Sequence, residues 1–197
     1  MDREAELAAA RDLNVEAIAR EIESIGFACQ RCGSCCTAEA DEPHTATIFP
    51  DEVRAIDGTW PAIARPMPYG LETGETFEWA LQVDDCGDCV FYDDEEGCQI
   101  YEDRPLICQT YPFRVDPRDG TVETSECPGL GEEMSHEEAQ ALARTLKRRA
   151  IVEAEQALAL RAAYEPVTTD GPVVYDAEGP KQVDGTPIDP TDQGQKG

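Results

Sequence analysis

The chain has 197 residues, enough for one modest domain with appendages. Its 42 acids against 16 bases give a formal net charge of −26, a surface that repels nucleic acid and argues against direct duplex binding. Aromatics are only 7% of residues, so the core is expected to be small and stapled by metal. The acidic excess is spread along the chain, as in cytoplasmic proteins of extreme halophiles, where salt screens carboxylate repulsion. A basic partner is the alternative; the absence of any focus favours the halophile reading. Asp2, Arg3, Glu4 and Glu6 interrupt any signal-peptide run, and no stretch approaches the roughly 18 apolar residues of a membrane span. A cytoplasmic location is expected, with no membrane or nucleic-acid partner. The partner or substrate that remains, a protein or a small molecule, is not named by the sequence.

Residues 1–26 are expected to be an amphipathic helix, or two pieces broken near Asp12–Asn14. Ile18, Ile22 and Ile25 recur at helical spacing, and Gly26 can end the helix. Phe27-Ala-Cys-Gln-Arg-Cys-Gly-Ser-Cys-Cys36 follows, with four thiols in eight residues, and Cys86, Cys89, Cys98, Cys108 and Cys127 lie further on. In a reducing compartment nine cysteines, an odd number, point to metal rather than to disulfides. In Cys29-x-x-Cys32-Gly33 a tight turn aims both sulfurs at one ion, with Gly33 free to take positive φ. Cys35 and Cys36 are adjacent, so they leave the backbone in different directions. Either they serve two sites or one of them is not a ligand.

The lone His44 falls in a polar loop and is read as a surface residue. Pro50–Ile56 is a short helix with Pro50 at its first position, and 58–74 is a proline-rich loop. Phe77, Trp79, Leu81 and Val83 alternate with more polar neighbours, which predicts one half-buried strand. Cys89–Tyr92 and Cys98–Tyr101 flank the turn Asp93–Gly97 as a hairpin with a thiol on each arm. A second hairpin turns at Asp116–Gly120. Ser135 and Glu138 form a capping box that opens a helix to about Tyr164. Residues 166–197, rich in Pro, Gly, Thr and Asp, are expected to be a disordered acidic tail.

All-sulfur ligation selects zinc or iron–sulfur. Cys29-x2-Cys32-x2-Cys35 matches the first three cysteines of a bacterial ferredoxin run, so a [4Fe-4S] cluster completed by a remote thiol is one reading. Structural zinc on four cysteines is the other.

Phe27-x-Cys29-x-x-Cys32-Gly33-x-Cys35-Cys36, Cys89-x-Phe91, Cys98-x-Ile100-Tyr101-x-x-Arg104-Pro105-x-x-Cys108, Tyr111-Pro112-Phe113 and Cys127-Pro128-Gly129 follow in order. This pattern, over about 27–130, resembles the YkgJ-type CxxCxxCC cysteine-cluster family, described as zinc- or iron-chelating proteins and sometimes as Fe–S oxidoreductases. The resemblance implies eight metal thiols: Cys29, Cys32, Cys35, Cys36, Cys89, Cys98, Cys108 and Cys127. Cys86 lies outside the pattern and is ranked as an auxiliary thiol. Arg104 is the cofactor-binding candidate, donating to cluster sulfurs or carrying a substrate anion. Tyr101 and Tyr111 are read as core aromatics, and no catalytic residue is assigned. A related but larger enzyme of this kind methylates flagellin lysines; no glycine-rich S-adenosylmethionine loop is visible here, and methylation is not carried over.

The expected fold is α+β. A small irregular cysteine-cluster domain, 27–133, is flanked by the N-terminal helix and by a long helix over 134–165. The metal is expected to supply folding energy. The expected function is an iron–sulfur protein with a redox or substrate-activating role; the alternative is a non-catalytic zinc-binding interaction module.

Overall fold

The computed structural model describes residues 2–39 and 42–189. The architecture is α+β, with several small sheets and one long helix. Helices α1 (Arg3–Asp12) and α2 (Val15–Ile25) are separate. Asn14 breaks them: its side chain accepts from the backbone N–H groups of Glu16 and Ala17 and caps α2. Gly26, at φ 76°, ends α2 as expected.

Strand β1 (Thr47–Ile48) leads into α3 (Pro50–Ala55), which has Pro50 at its first position. The span 58–74, expected as a loop, contains helix α4 (Trp60–Ile63) and strand β2 (Ala64–Pro66). Proline misled that reading. Pro61 sits in the first turn of α4, where its missing N–H costs nothing, and Pro66 ends an edge strand.

The alternating stretch is two strands, β3 (Glu75–Phe77) and β4 (Trp79–Leu81), split at Glu78 with φ 67°. They belong to different sheets, β4 between β1 and β2 and β3 alongside β9 (Val173–Asp176). The break resets the face, so Phe77 is 43% exposed while Trp79 is fully buried.

A hairpin of β5 (Tyr92–Asp93) and β6 (Gly97–Cys98) follows, then α5 (Leu106–Thr110). The second expected hairpin is β7 (Phe113–Val115) with β8 (Val122–Thr124). Helix α6 (His136–Ala163) opens on the Ser135–Glu138 capping box. The expected disordered tail is ordered over most of its length. β9 and β10 (Gly179–Lys181) form a hairpin, and β9 pairs parallel with β3. Val173, Val174 and Tyr175 carry this docking by burying completely, an apolar triplet that the surrounding Pro, Gly and Asp obscured. Residues 190–197 of that expected tail lie outside the described residues.

Two apolar cores result. The first joins α1, α2, α6 and the β7–β8 hairpin through Ile18, Ile22, Phe113, Val115 and Leu146. The second gathers Ile48, Val53, Ile63, Trp79, Leu81 and Val174, with Cys89 inside it and Cys36 and Cys108 against it. These three thiols therefore belong to the second core. Among the described residues no helix is long and apolar enough to cross a membrane.

Candidate metal centre

The cysteine-rich stretch begins where α2 ends and is stitched to the segment 127–130. Phe27 bridges Leu130, the Ala28 N–H donates to the Gly129 carbonyl at 3.0 Å, and Gln30 Nε2 donates to the Pro128 carbonyl at 3.1 Å. Gly129 is required there, because a Cβ would run into the carbonyl of Ala28. These contacts set Cys29 and Cys32 beside Cys127, on the exposed rim of the domain.

A tight turn then reverses the chain. The N–H groups of Cys36 and Thr37 both donate to the Gly33 carbonyl, at 2.7 and 3.2 Å. Gly33 takes φ 78°, the role its place after CxxC implied. Beyond the turn the Cys36 carbonyl accepts from the Cys89 N–H at 2.8 Å, and Asp88 accepts from the Ala38 N–H. Cys89 is followed by the β5–β6 hairpin, where Tyr92 pairs with Cys98. Cys108 arrives on α5, whose first N–H is held by Glu52 at 2.8 Å. Cys36, Cys89 and Cys108 thus meet in the second core.

Cys35 stays on the exposed rim, while Cys36 turns into the second core, with 3.8 Å between their sulfurs. The expected divergence of this adjacent pair shows in burial and not at the sulfurs, which stay within hydrogen-bond reach of each other. All nine cysteines are free thiols. Among the described residues no three thiol, imidazole or carboxylate groups form a finished ligand cluster. The thiols neighbour one another without converging. Their chemistry fits a thiophilic centre, since sulfur is the donor supplied from five separate stretches of chain.

A family model described as "CxxCxxCC: Putative zinc- or iron-chelating domain" matches residues 28–146. The chain belongs to this CxxCxxCC family. No curated protein and no solved structure gave a significant match. The CxxCxxCC domain spans all eight pattern thiols and the first part of α6. It leaves α1, α2 and the β9–β10 hairpin outside.

Electrostatics distinguish individual thiols of the CxxCxxCC domain. Cys35 is lowered to about 7, first by the hydrogen bond from Cys36, with help from the charge of Arg104. Cys36 moves up, because it donates that bond and is desolvated. Burial pushes Cys89 to about 11 and Cys108 to about 12, and raises Cys98 and Cys127. Cys32 is lowered by the hydroxyl of Ser34, 3.3 Å away. The inner thiols are therefore protonated at neutral pH, and a metal entering them displaces protons.

The remaining candidates fall into place. Cys86 is exposed at the tip of the 84–88 turn, its N–H held by Asp84 at 2.8 Å. His44 is bound through its backbone, donating to the Gly87 carbonyl and accepting from Arg65, and burial lowers its pKa. Tyr111 has a satisfied hydroxyl, donating to the Glu126 carbonyl. Arg104 donates to the Tyr101 carbonyl at 2.6 Å, and its guanidinium lies 3.5 Å from the Tyr101 ring centroid. Sequence reasoning missed Arg31. It adopts φ 53° and stacks on the same ring at 4.1 Å. A spacer residue inside CxxC carries no signal of that contact.

Proposed function

We propose that the thiols form two sets and that the outer set holds iron as a [4Fe-4S] cluster with a redox or substrate-activating role. The outer set is Cys29, Cys32, Cys35 and Cys127; the inner is Cys36, Cys89, Cys98 and Cys108. The observation that supports this reading is the stitching of the ferredoxin-like run to segment 127–130, which brings Cys127 near the exposed thiols of Cys-x2-Cys-x2-Cys. When bound, such a cluster supplies one-electron transfer or a Lewis-acidic iron. The chain itself contributes the exposed edge through which a partner or substrate can approach.

The inner set has a different character. Cys89 is buried and Cys36 and Cys108 pack against the second core, so this set suits a closed, structural metal. That feature also favours the second reading, a zinc-stapled interaction module with no redox chemistry.

One preparation separates the two readings. The full chain is purified without oxygen from iron-supplied cells, in high salt to screen its net charge of −26. Iron, labile sulfide, zinc and visible absorption are then measured together. Brown protein with iron and sulfide supports the redox reading. A colourless protein with stoichiometric zinc overturns it and leaves the module.

A further inference from the structure

We propose that Arg31 and Arg104, both stacked on Tyr101, form a clamp for the carboxylate or phosphate group of a small ligand at the outer thiol rim. The inference rests on the reading of that rim as a metal site, and it names the class of ligand brought there.

Both guanidinium carbons lie within 4.1 Å of one ring centroid. Two like charges on one ring repel each other, and an anion bound beside both offsets that repulsion. The chain offers 42 carboxylates, some of them close at hand. Glu95 and Glu96 belong to the turn before Gly97, which lies against Arg31, and Glu102 and Asp103 immediately precede Arg104. Yet among the described residues neither arginine makes an ion pair.

Arg104 commits its Nε to the Tyr101 carbonyl, which orients the group and leaves its two terminal nitrogens for a ligand. Arg31 is exposed and is held by a left-handed backbone, a conformation costing an L-residue about 1 kcal/mol or more. Guanidinium forks match carboxylate and phosphate oxygens in pairs. A surface this acidic repels anions, so an anionic ligand needs local positive charge at its point of entry. Arg31 supplies that charge from within the Cys29–Cys32 spacer itself.

The test uses metal-loaded full-length protein. Inorganic phosphate and succinate are titrated separately by calorimetry at constant ionic strength, with chloride as the balancing anion. Metal content is measured on every sample. Saturable binding of at least one probe is expected, and it identifies which oxyanion is preferred. R31Q and R104Q should each weaken it about tenfold or more without losing metal. R31K keeps the charge but loses the fork, and should also bind more weakly than wild type. If R104Q fails to fold, the exposed Arg31 still decides the matter. Metal-loaded wild type that binds neither probe, or R31Q that binds like wild type, overturns the clamp. Wild type carrying no metal refutes the metal reading instead, and the titrations of that sample still decide whether the arginines bind an anion.

Discussion

Gly33 lies against the ring of Tyr92, so close that a Cβ on Gly33 would overlap the ring and its hydroxyl. This contact fastens the CxxCG turn to the β5 strand and hence to Cys98 across the hairpin. Gly33→Ala faces both the overlap and the positive φ of 78°. It should cost about 1–3 kcal/mol and lower the metal content. Tyr92→Ala in the same chain should recover part of that loss, because it removes the overlap but not the backbone strain. Urea unfolding of the single and double variants, with metal analysis, checks this; strictly additive losses would show that the ring contact is unimportant.

Chelation should act unevenly. Both tryptophans, Trp60 and Trp79, pack in the second core beside Cys36, Cys89 and Cys108. The first core, built from α1, α2 and α6, contains no cysteine. Metal removal should therefore shift tryptophan fluorescence to the red while most helical circular dichroism survives. A helical signal lost in step with the fluorescence would mean that the two cores unfold as one.

The thiol sets should be separable by substitution. Cys108→Ser should release metal and produce the fluorescence change, whereas Cys29→Ser should release metal with little fluorescence change. Cys35→Ser and Cys36→Ser should lose different metal fractions. Cys86→Ser should retain the wild-type metal content, consistent with its exposed turn position. Equal metal loss from Cys35→Ser and Cys36→Ser would mean one shared site.

The C-terminal hairpin is held by a buried ion pair. Lys181 and Asp176 are each 2% exposed, with Nζ 2.6 Å from the carboxylate, and Trp79 Nε1 donates to the same carboxylate oxygen. Lys181→Met keeps most of the stem packing but strands a buried charge. It should destabilise the protein by about 3–5 kcal/mol in denaturant titration. A loss under about 1 kcal/mol would mean that water reaches Asp176.

His136 links α6 to α2. Its Nδ1 is 2.7 Å from Glu23, and that bond, with the nearby charge of Glu16, raises its pKa above 6.5. The folded state thus binds this proton more tightly than the unfolded chain. The resulting stabilisation is complete below about pH 6.5 and fades as pH rises through the folded value. His136→Gln should therefore lower the melting temperature more at about pH 6 than at about pH 9. An equal drop at both would remove the charged form from the account.

Helices α1, α2, α3 and α6 were legible because their signals are local, whereas the short α4 and α5 were not. Asn14, Gly26, Pro50 and the Ser135–Glu138 box each act within a few residues of themselves. The β9–β10 hairpin was not legible, because its reason lies about a hundred residues away, in β3 and the indole of Trp79. The split at Glu78 was hidden likewise, since the alternation does not reveal that its two halves join different sheets.

For the candidate site, the sequence by itself determined the chemistry: eight thiols in a family pattern, a glycine where the turn needs positive φ, and a ferredoxin-like run. Only the tertiary structure shows which of the thiols are exposed and which pack against a core. Backbone bonds from Ala28 to Gly129 and from Cys89 to Cys36 tie the two ends of the run to distant segments, leaving Cys35 exposed while Cys36 packs against an apolar core. Donor identity is a property of each residue, whereas the company a donor keeps depends on which distant segments fold against it.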